Sequence, residues 1–182
     1  RMYENASSSA MRTTAQLGIL RCSQLLDNAE NTIEAANKLL EDPNLAEDIR
    51  KEAHYCRAKM QLKNNQYGLA VVDLNPLAKE VRTAIGAEAK YLLAYCYFQL
   101  GSIELAEEEI MSFTKMQTSQ QYWLAKSLIL LADINITRND LFQAKQYLLA
   151  LKGSYRQEDD IQSIILEKLA QIEEQETQVT EE

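Results

Sequence analysis

The chain of 182 residues holds only five glycines and two prolines. Folds built from β-hairpins use both residue types freely at their turns, so an all-β architecture is excluded. Histidine occurs once, as His54. General acid–base and nucleophilic catalysis ask for a second polar partner within reach, so His54 reads as a structural residue. The phosphate-cradling, zinc-protease and nucleophile-elbow motifs (GxGxxG, GxxxxGK[ST], HExxH, GxSxG) are all missing. Cysteine occurs three times, at Cys22, Cys56 and Cys96, an odd number with no CxxC spacing. Buried apolar filler is the reading for them, against a redox or metal role, and they do not decide the compartment. Apolar runs are broken by charges before the ~18 residues that a membrane span requires. The formal charge is −8 with no cluster of Lys and Arg, which speaks against nucleic acid and against an anionic membrane surface. No signal peptide is visible. The chain opens Arg1-Met2-Tyr3 inside a polar segment, as a piece of a longer protein does, so the missing leader carries little weight.

What is present favours helix. Apolar residues make up 46%, enough for a core, and Ala, Leu, Glu, Gln and Lys dominate. An all-α protein is predicted. Breaks fall near Asp27-Asn28, Glu41 to Asn44, Lys63 to Asn65, Ile85-Gly86, Leu100 to Ser102, Gln117 to Ser119, Arg138 to Asp140 and Lys152 to Ser154. Asn, Asp, Gly and Ser there act as caps and turn residues. Between the breaks, apolar residues recur at helical spacing, as in Ile103, Ala106, Ile110 and Phe113 or Leu141, Ala144, Leu148 and Leu151. About nine helices with short loops follow, so neighbours run antiparallel.

The helices repeat in pairs. The pattern Ile33-x-x-Ala36-x-x-x-Leu40 returns as Tyr67/Ala70/Leu74, Ile103/Ala106/Ile110 and Leu141/Ala144/Leu148, with the alanines 34, 36 and 38 residues apart. Ala58, Ala94 and Ala132 each stand 12 residues before their partner alanine. One small residue on each helix lets the two helices of a hairpin approach closely. In this period and in its helix–turn–helix units the chain resembles the tetratricopeptide repeat family over roughly residues 13–155. The stretch from Ala89 to Ala106, with Tyr91, Tyr95, Tyr97, Phe98 and Gly101, matches the family pattern best. Departures stand beside it. His54 or Lys90 occupies the consensus Trp position, Ser23-Gln24 replaces the usual Leu-Gly or Leu-Ala pair, and most unit ends lack Pro. Tyr122-Trp123, ahead of an Ala and a long apolar helix, is similar to the long repeat proteins of bacteria, some of them periplasmic.

The resemblance implies a right-handed α-solenoid of about four hairpins in residues 13–157. Residues 1–12 are then the tail of a preceding repeat or an N-terminal cap. Residues 158–182 are a capping helix, with its stripe Ile161, Ile164, Ile165, Leu169 and Ile172, ending in a frayed tail from Thr177. Asp159-Asp160 reads as a helix cap rather than a metal pair, and Glu107 to Glu109 as a solvated face. The first helix of each hairpin lines a concave groove in the family. By position, that groove here offers Arg21, Tyr55, Lys59, Lys63, Tyr91, Tyr95 and Phe98, set against the plainer reading that the aromatics only pack. Aromatic and Arg anchors dominate interfaces, and the cations suit an acidic peptide. The family's carboxylate clamp is lacking, because its Asn positions hold Leu25 and Lys59. The expected function is therefore binding of a protein or peptide partner, with no cofactor and no catalysis. The alternative is a structural spacer or self-assembling segment, which admits a homo-oligomer. The resemblance points to the bacterial periplasm or outer membrane rather than the cytoplasm.

Overall fold

A computed structural model describes residues 9–180, with side chains as far as residue 177. The described residues form nine helices and no strand: α1 (Ser9–Leu25), α2 (Ala29–Leu40), α3 (Glu47–Lys63), α4 (Tyr67–Leu77), α5 (Ala84–Gln99), α6 (Ile103–Lys115), α7 (Gln121–Thr137), α8 (Leu141–Ser154) and α9 (Ile161–Thr180). Consecutive helices pair as hairpins α1/α2, α3/α4, α5/α6 and α7/α8. Of the segment expected to belong to a preceding repeat, residues 1–8 lie outside the described residues, and Ser9 already opens α1.

The repeat is written most clearly in the four hairpin turns. Each contains one residue with left-handed backbone, Asp27 (φ 57°), Asn65 (φ 56°), Gly101 (φ 74°) and Asn139 (φ 61°). Asn, Asp and Gly tolerate that conformation best. The next residue donates its backbone N–H five positions back: Asn28 to Ser23 at 2.9 Å, Gln66 to Gln61 at 2.8 Å, Ser102 to Tyr97 at 2.9 Å, and Asp140 to Asn135 at 2.9 Å. This is the Schellman closure, which satisfies carbonyls left over at a helix end. In two turns the same residue then caps the following helix. Asn28 accepts from Asn31 N–H and Asp140 from Gln143 N–H, both at 3.0 Å.

Counting from these turns corrects the repeat register. Five residues after the left-handed residue stand Thr32, Ala70, Ala106 and Ala144, all fully buried. Thr32 therefore fills the small-residue position of the first hairpin. Ala36 instead shares its column with Leu74, Ile110 and Leu148. The spacings become 38, 36 and 38 residues. Thr32 is admitted there because its hydroxyl donates to the Asn28 carbonyl at 2.7 Å and does not remain an unpaired polar group.

Contacts divide the chain into two compact units, Arg1–Lys79 and Glu80–Glu182. In the first, α3 packs against α1, α2 and α4 around Leu20, Ala35, Ala36, Leu39, Leu45, Ala53 and Cys56. In the second, α7 packs against α5, α6, α8 and α9. Ala94, Ala106, Ile110, Leu130, Leu131 and Ile134 fill one side of it. On the other side, α9 lays Ile161, Ile165, Leu169 and Ile172 onto Ala125, Ile129, Ala132, Ala144 and Leu148. The remaining faces of α9 are mostly polar and exposed.

Several boundaries differ from the sequence reading. Gly86 is not a break but lies in the first turn of α5, which Thr83 caps by accepting from Gly86 N–H at 3.0 Å. A Cβ on Gly86 would sit 2.1 Å from the Glu80 carbonyl oxygen, so close backbone approach is what requires glycine here. Helix α8 runs on through Gly153-Ser154. Helix α9 continues to Thr180, beyond the Thr177 at which a frayed tail was expected. Asp159 does cap, accepting from Ile161 N–H at 3.0 Å. Cys56 and Cys96 are buried, but Cys22 is exposed and is no core filler. The acidic run is only partly a solvated face. Glu109 pairs with Lys90 at 2.5 Å and Glu107 with Arg138 at 2.8 Å, both joining α6 to a neighbouring helix, while Glu108 alone faces solvent. No helix among the described residues is long and apolar enough to cross a membrane.

Candidate partner-binding face

The seven groove residues expected from the sequence fall in both units. Arg21, Tyr55, Lys59 and Lys63 belong to the first unit, on α1 and α3. Arg21 makes a bidentate pair with Glu52 at 2.6 and 2.8 Å, and Lys63 pairs with Asp27. Lys59 stands over the Tyr55 ring, 5.8 Å from its centre. Two of the three cations offered for an acidic peptide are thus committed to carboxylates of the chain itself.

Tyr91, Tyr95 and Phe98 belong to the second unit, on α5. All three are half-buried, and they rest on the core formed by Ala94, Ala106 and Leu130. Tyr91 stacks on Trp123 of α7, with ring centres 5.7 Å apart and planes 27° from parallel. Tyr95 lies 6.3 Å from Tyr91 on the other side. Tyr122 meets Trp123 edge to face at 5.0 Å. The four rings form a continuous row, Tyr95–Tyr91–Trp123–Tyr122, through one tilted, one stacked and one T-shaped contact, all at centre distances that favourable aromatic pairs adopt. Lys126, one turn along α7 from Tyr122, places its ammonium 5.8 Å from the centre of the Tyr91 ring, within cation–π range. Asp133 follows two turns further along α7 and pairs with Lys168 of α9 at 2.5 Å.

Two effects act on the hydroxyls of this row. Burial, followed by the nearby Tyr95, Asp133 and Tyr122, pushes Tyr91 up to about 12. Tyr122 is raised as well, first by burial and then by Asp160. Both phenols remain protonated at neutral pH and can donate hydrogen bonds. Sequence reading proposed Tyr91 and Tyr95 from one helix alone. It noted Tyr122-Trp123 only as part of a family likeness. Trp123 is the residue that joins α5 to α7, and the signal for it was the only Trp of the chain, placed at the start of a first helix.

A second polar cluster ties α3 to α4 within the first unit. Asp73, 1% exposed, accepts from Arg57 Nε at 2.8 Å and from Arg57 Nη2 at 2.6 Å. It also lies 2.7 Å from His54 Nδ1. Arg57 reaches back to Asn37 of α2 at 2.5 Å. Burial pushes the Asp73 carboxyl up, but hydrogen bonds and charge from Arg57 and His54 outweigh it, and the net shift is downward. His54 is therefore not the isolated imidazole that the sequence suggested. Its partner comes from the opposite helix of the hairpin, 19 residues on. Among the described residues, no group of three or more His, Cys, Asp and Glu side chains is placed to hold a metal ion.

No family model, no curated protein and no solved structure matches the chain.

Proposed function

We propose that the chain is a tetratricopeptide-like interaction module, its hairpins those of a right-handed α-solenoid, and that the aromatic face of the second unit binds a peptide or protein partner. The single observation that carries this reading is the row Tyr95–Tyr91–Trp123–Tyr122 with Lys126 beside it. Close helix packing in the hairpins is achieved by Ala94, Ala106, Ala132 and Ala144 with Ile and Leu around them, and the rings rest against this core. They remain partly exposed, and stacking between two helices fixes their rotamers before any partner arrives. Such preorganised aromatic anchors lower the entropic cost of binding and are typical interface hot spots. The repeat spacing of 36–38 residues is longer than the family's usual ~34. This reading gives the chain no catalytic role. Its one His–Asp pair serves with Arg57 to tie α3 to α4.

The test compares the wild-type chain with a Tyr91→Ala, Tyr95→Ala double variant, both shown to be folded by circular dichroism, in affinity capture from a bacterial lysate. A protein retained by the wild type and lost by the variant is the expected result. Identical retention by both would make the rings packing and remove the reading. The spacer alternative is favoured by one observation: Leu25, Leu26 and Val72 in the first unit are 87%, 80% and 65% exposed, large apolar side chains open to contact with another chain.

A further inference from the structure

On the other side of α7 from the aromatic row lies a cleft of about 310 Å³. Gln121, Leu124 and Leu128 recur at helical spacing on that side, whereas Tyr122 and Lys126 lie on the opposite one. Leu151 of α8 completes the apolar floor. The rim is polar and includes Ser154 and Arg156. Arg156 is held in place by the carbonyls of Gly153, at 2.5 Å from Nη2, and Tyr155, at 3.0 Å from Nη1. Two of the five guanidinium N–H groups are used in this way, and the others remain for a ligand. None of the acids that follow, Glu158, Asp159 and Asp160, lines the cleft, and Asp159 is engaged by the Tyr155 hydroxyl at 2.5 Å and by Ile161 N–H at 3.0 Å.

We propose that this cleft binds a small carboxylic acid carrying a short apolar tail, with the tail on Leu124, Leu128 and Leu151 and the carboxylate on Arg156. Three observations select this ligand class. The volume sits at the lower limit of small-molecule sites, so it admits one short tail and not a large cofactor. The floor is apolar, which disfavours a sugar or a polyphosphate, whose polar groups would lose water without gaining partners. A single guanidinium on the rim matches a single negative charge, and guanidinium–carboxylate hydrogen bonds are among the stronger ones.

The experiment is an amide NMR titration of the full chain with hexanoate, N-acetyl-leucine and their neutral counterparts hexanol and N-acetyl-leucine amide, up to ~10 mM. Both acids are expected to shift the signals of Leu124, Leu128 and Leu151 saturably, and the neutral molecules to bind about tenfold more weakly, as loss of one charge-assisted hydrogen bond predicts. In Arg156→Gln, an exposed substitution that leaves the fold intact, this preference for acids disappears. Absence of saturable shifts, equal binding of acid and neutral forms, or an unchanged preference in R156Q overturns the proposal. So does binding of a leucine-terminated peptide when neither free acid binds, because the occupant would then be a chain end. None of these outcomes bears on the aromatic face, which Tyr91→Ala, Tyr95→Ala tests separately.

Discussion

Replacing Asp73 with Asn probes the tie between α3 and α4. The substitution keeps shape and removes the charge. Arg57 then loses a bidentate anionic partner, and a single neutral amide oxygen is left as acceptor for Arg57 and His54 together. Removing one member of a buried ion pair costs about 3–5 kcal/mol. Here the side chains left behind are 19% and 21% exposed, so water recovers part of that loss and the lower limit, about 3 kcal/mol, is expected. For a unit of this size, ~1 kcal/mol lowers the melting temperature by about 4 °C or more. The drop is therefore about 12 °C if the first unit melts alone, and about half that if the whole chain melts as one. Urea unfolding followed by circular dichroism, combined with Arg57→Gln and the double variant in a cycle, measures it. The pH dependence gives an independent check. Because the carboxyl is held below its ordinary value in the folded state, its stabilisation is present above the unfolded value of about 3.9 and is lost as pH falls through the lower, folded value. The wild type should lose stability there and D73N should lack that component. A D73N variant within about 0.5 kcal/mol of wild type, with the same acid limb, would refute the reasoning.

Ala106→Phe and Ala144→Phe place a ring where the side chain is fully buried, and each should cost about 1–3 kcal/mol by overpacking. Unchanged thermal unfolding in both would contradict the repeat register. Gly86→Ala meets the Glu80 carbonyl oxygen at 2.1 Å, a backbone group that cannot swing aside, so it should destabilise by about 1–3 kcal/mol despite the better helix propensity of Ala. Thiol titration with an aromatic disulfide at pH 8 should count one fast cysteine, the exposed Cys22. Burial pushes Cys56 up to about 11 and Cys96 up to about 12, leaving at most about 0.1% thiolate at that pH, so both should react only after denaturant is added.

How much of this was legible beforehand depended on whether a signal was local. Helix content, the number of helices and the turns at Asp27, Asn65, Gly101 and Asn139 were readable, because capping and left-handed backbone select particular residues at particular places. The register of the first hairpin was not. Its small-residue position holds Thr32, whose hydroxyl makes it resemble a cap residue until its hydrogen bond to Asn28 is seen. Ala36, four residues on, matched the alanine pattern by composition alone. Gly86 was read as a turn because glycine at a helix end usually is one. The demand it meets, contact with the Glu80 carbonyl, is a distance between chain segments that no local pattern records.

The same distinction separates the two halves of the candidate site. Tyr91 and Tyr95 are one turn apart on one helix, so their shared face follows from helical periodicity. The partners that turn a pair of tyrosines into a row, Trp123 and Tyr122, come from a helix about 30 residues later. The ion-pair partners of Arg21 and Lys63, Glu52 and Asp27, also come from other elements. Charge counted along a sequence does not disclose these pairings. In the second unit, the partly exposed rings and Lys126 are arranged by contacts between α5 and α7. A binding surface made by helix packing is disclosed only when the helices are in place, and that is why the aromatic row of the second unit, rather than the cations of the first, carries the functional argument.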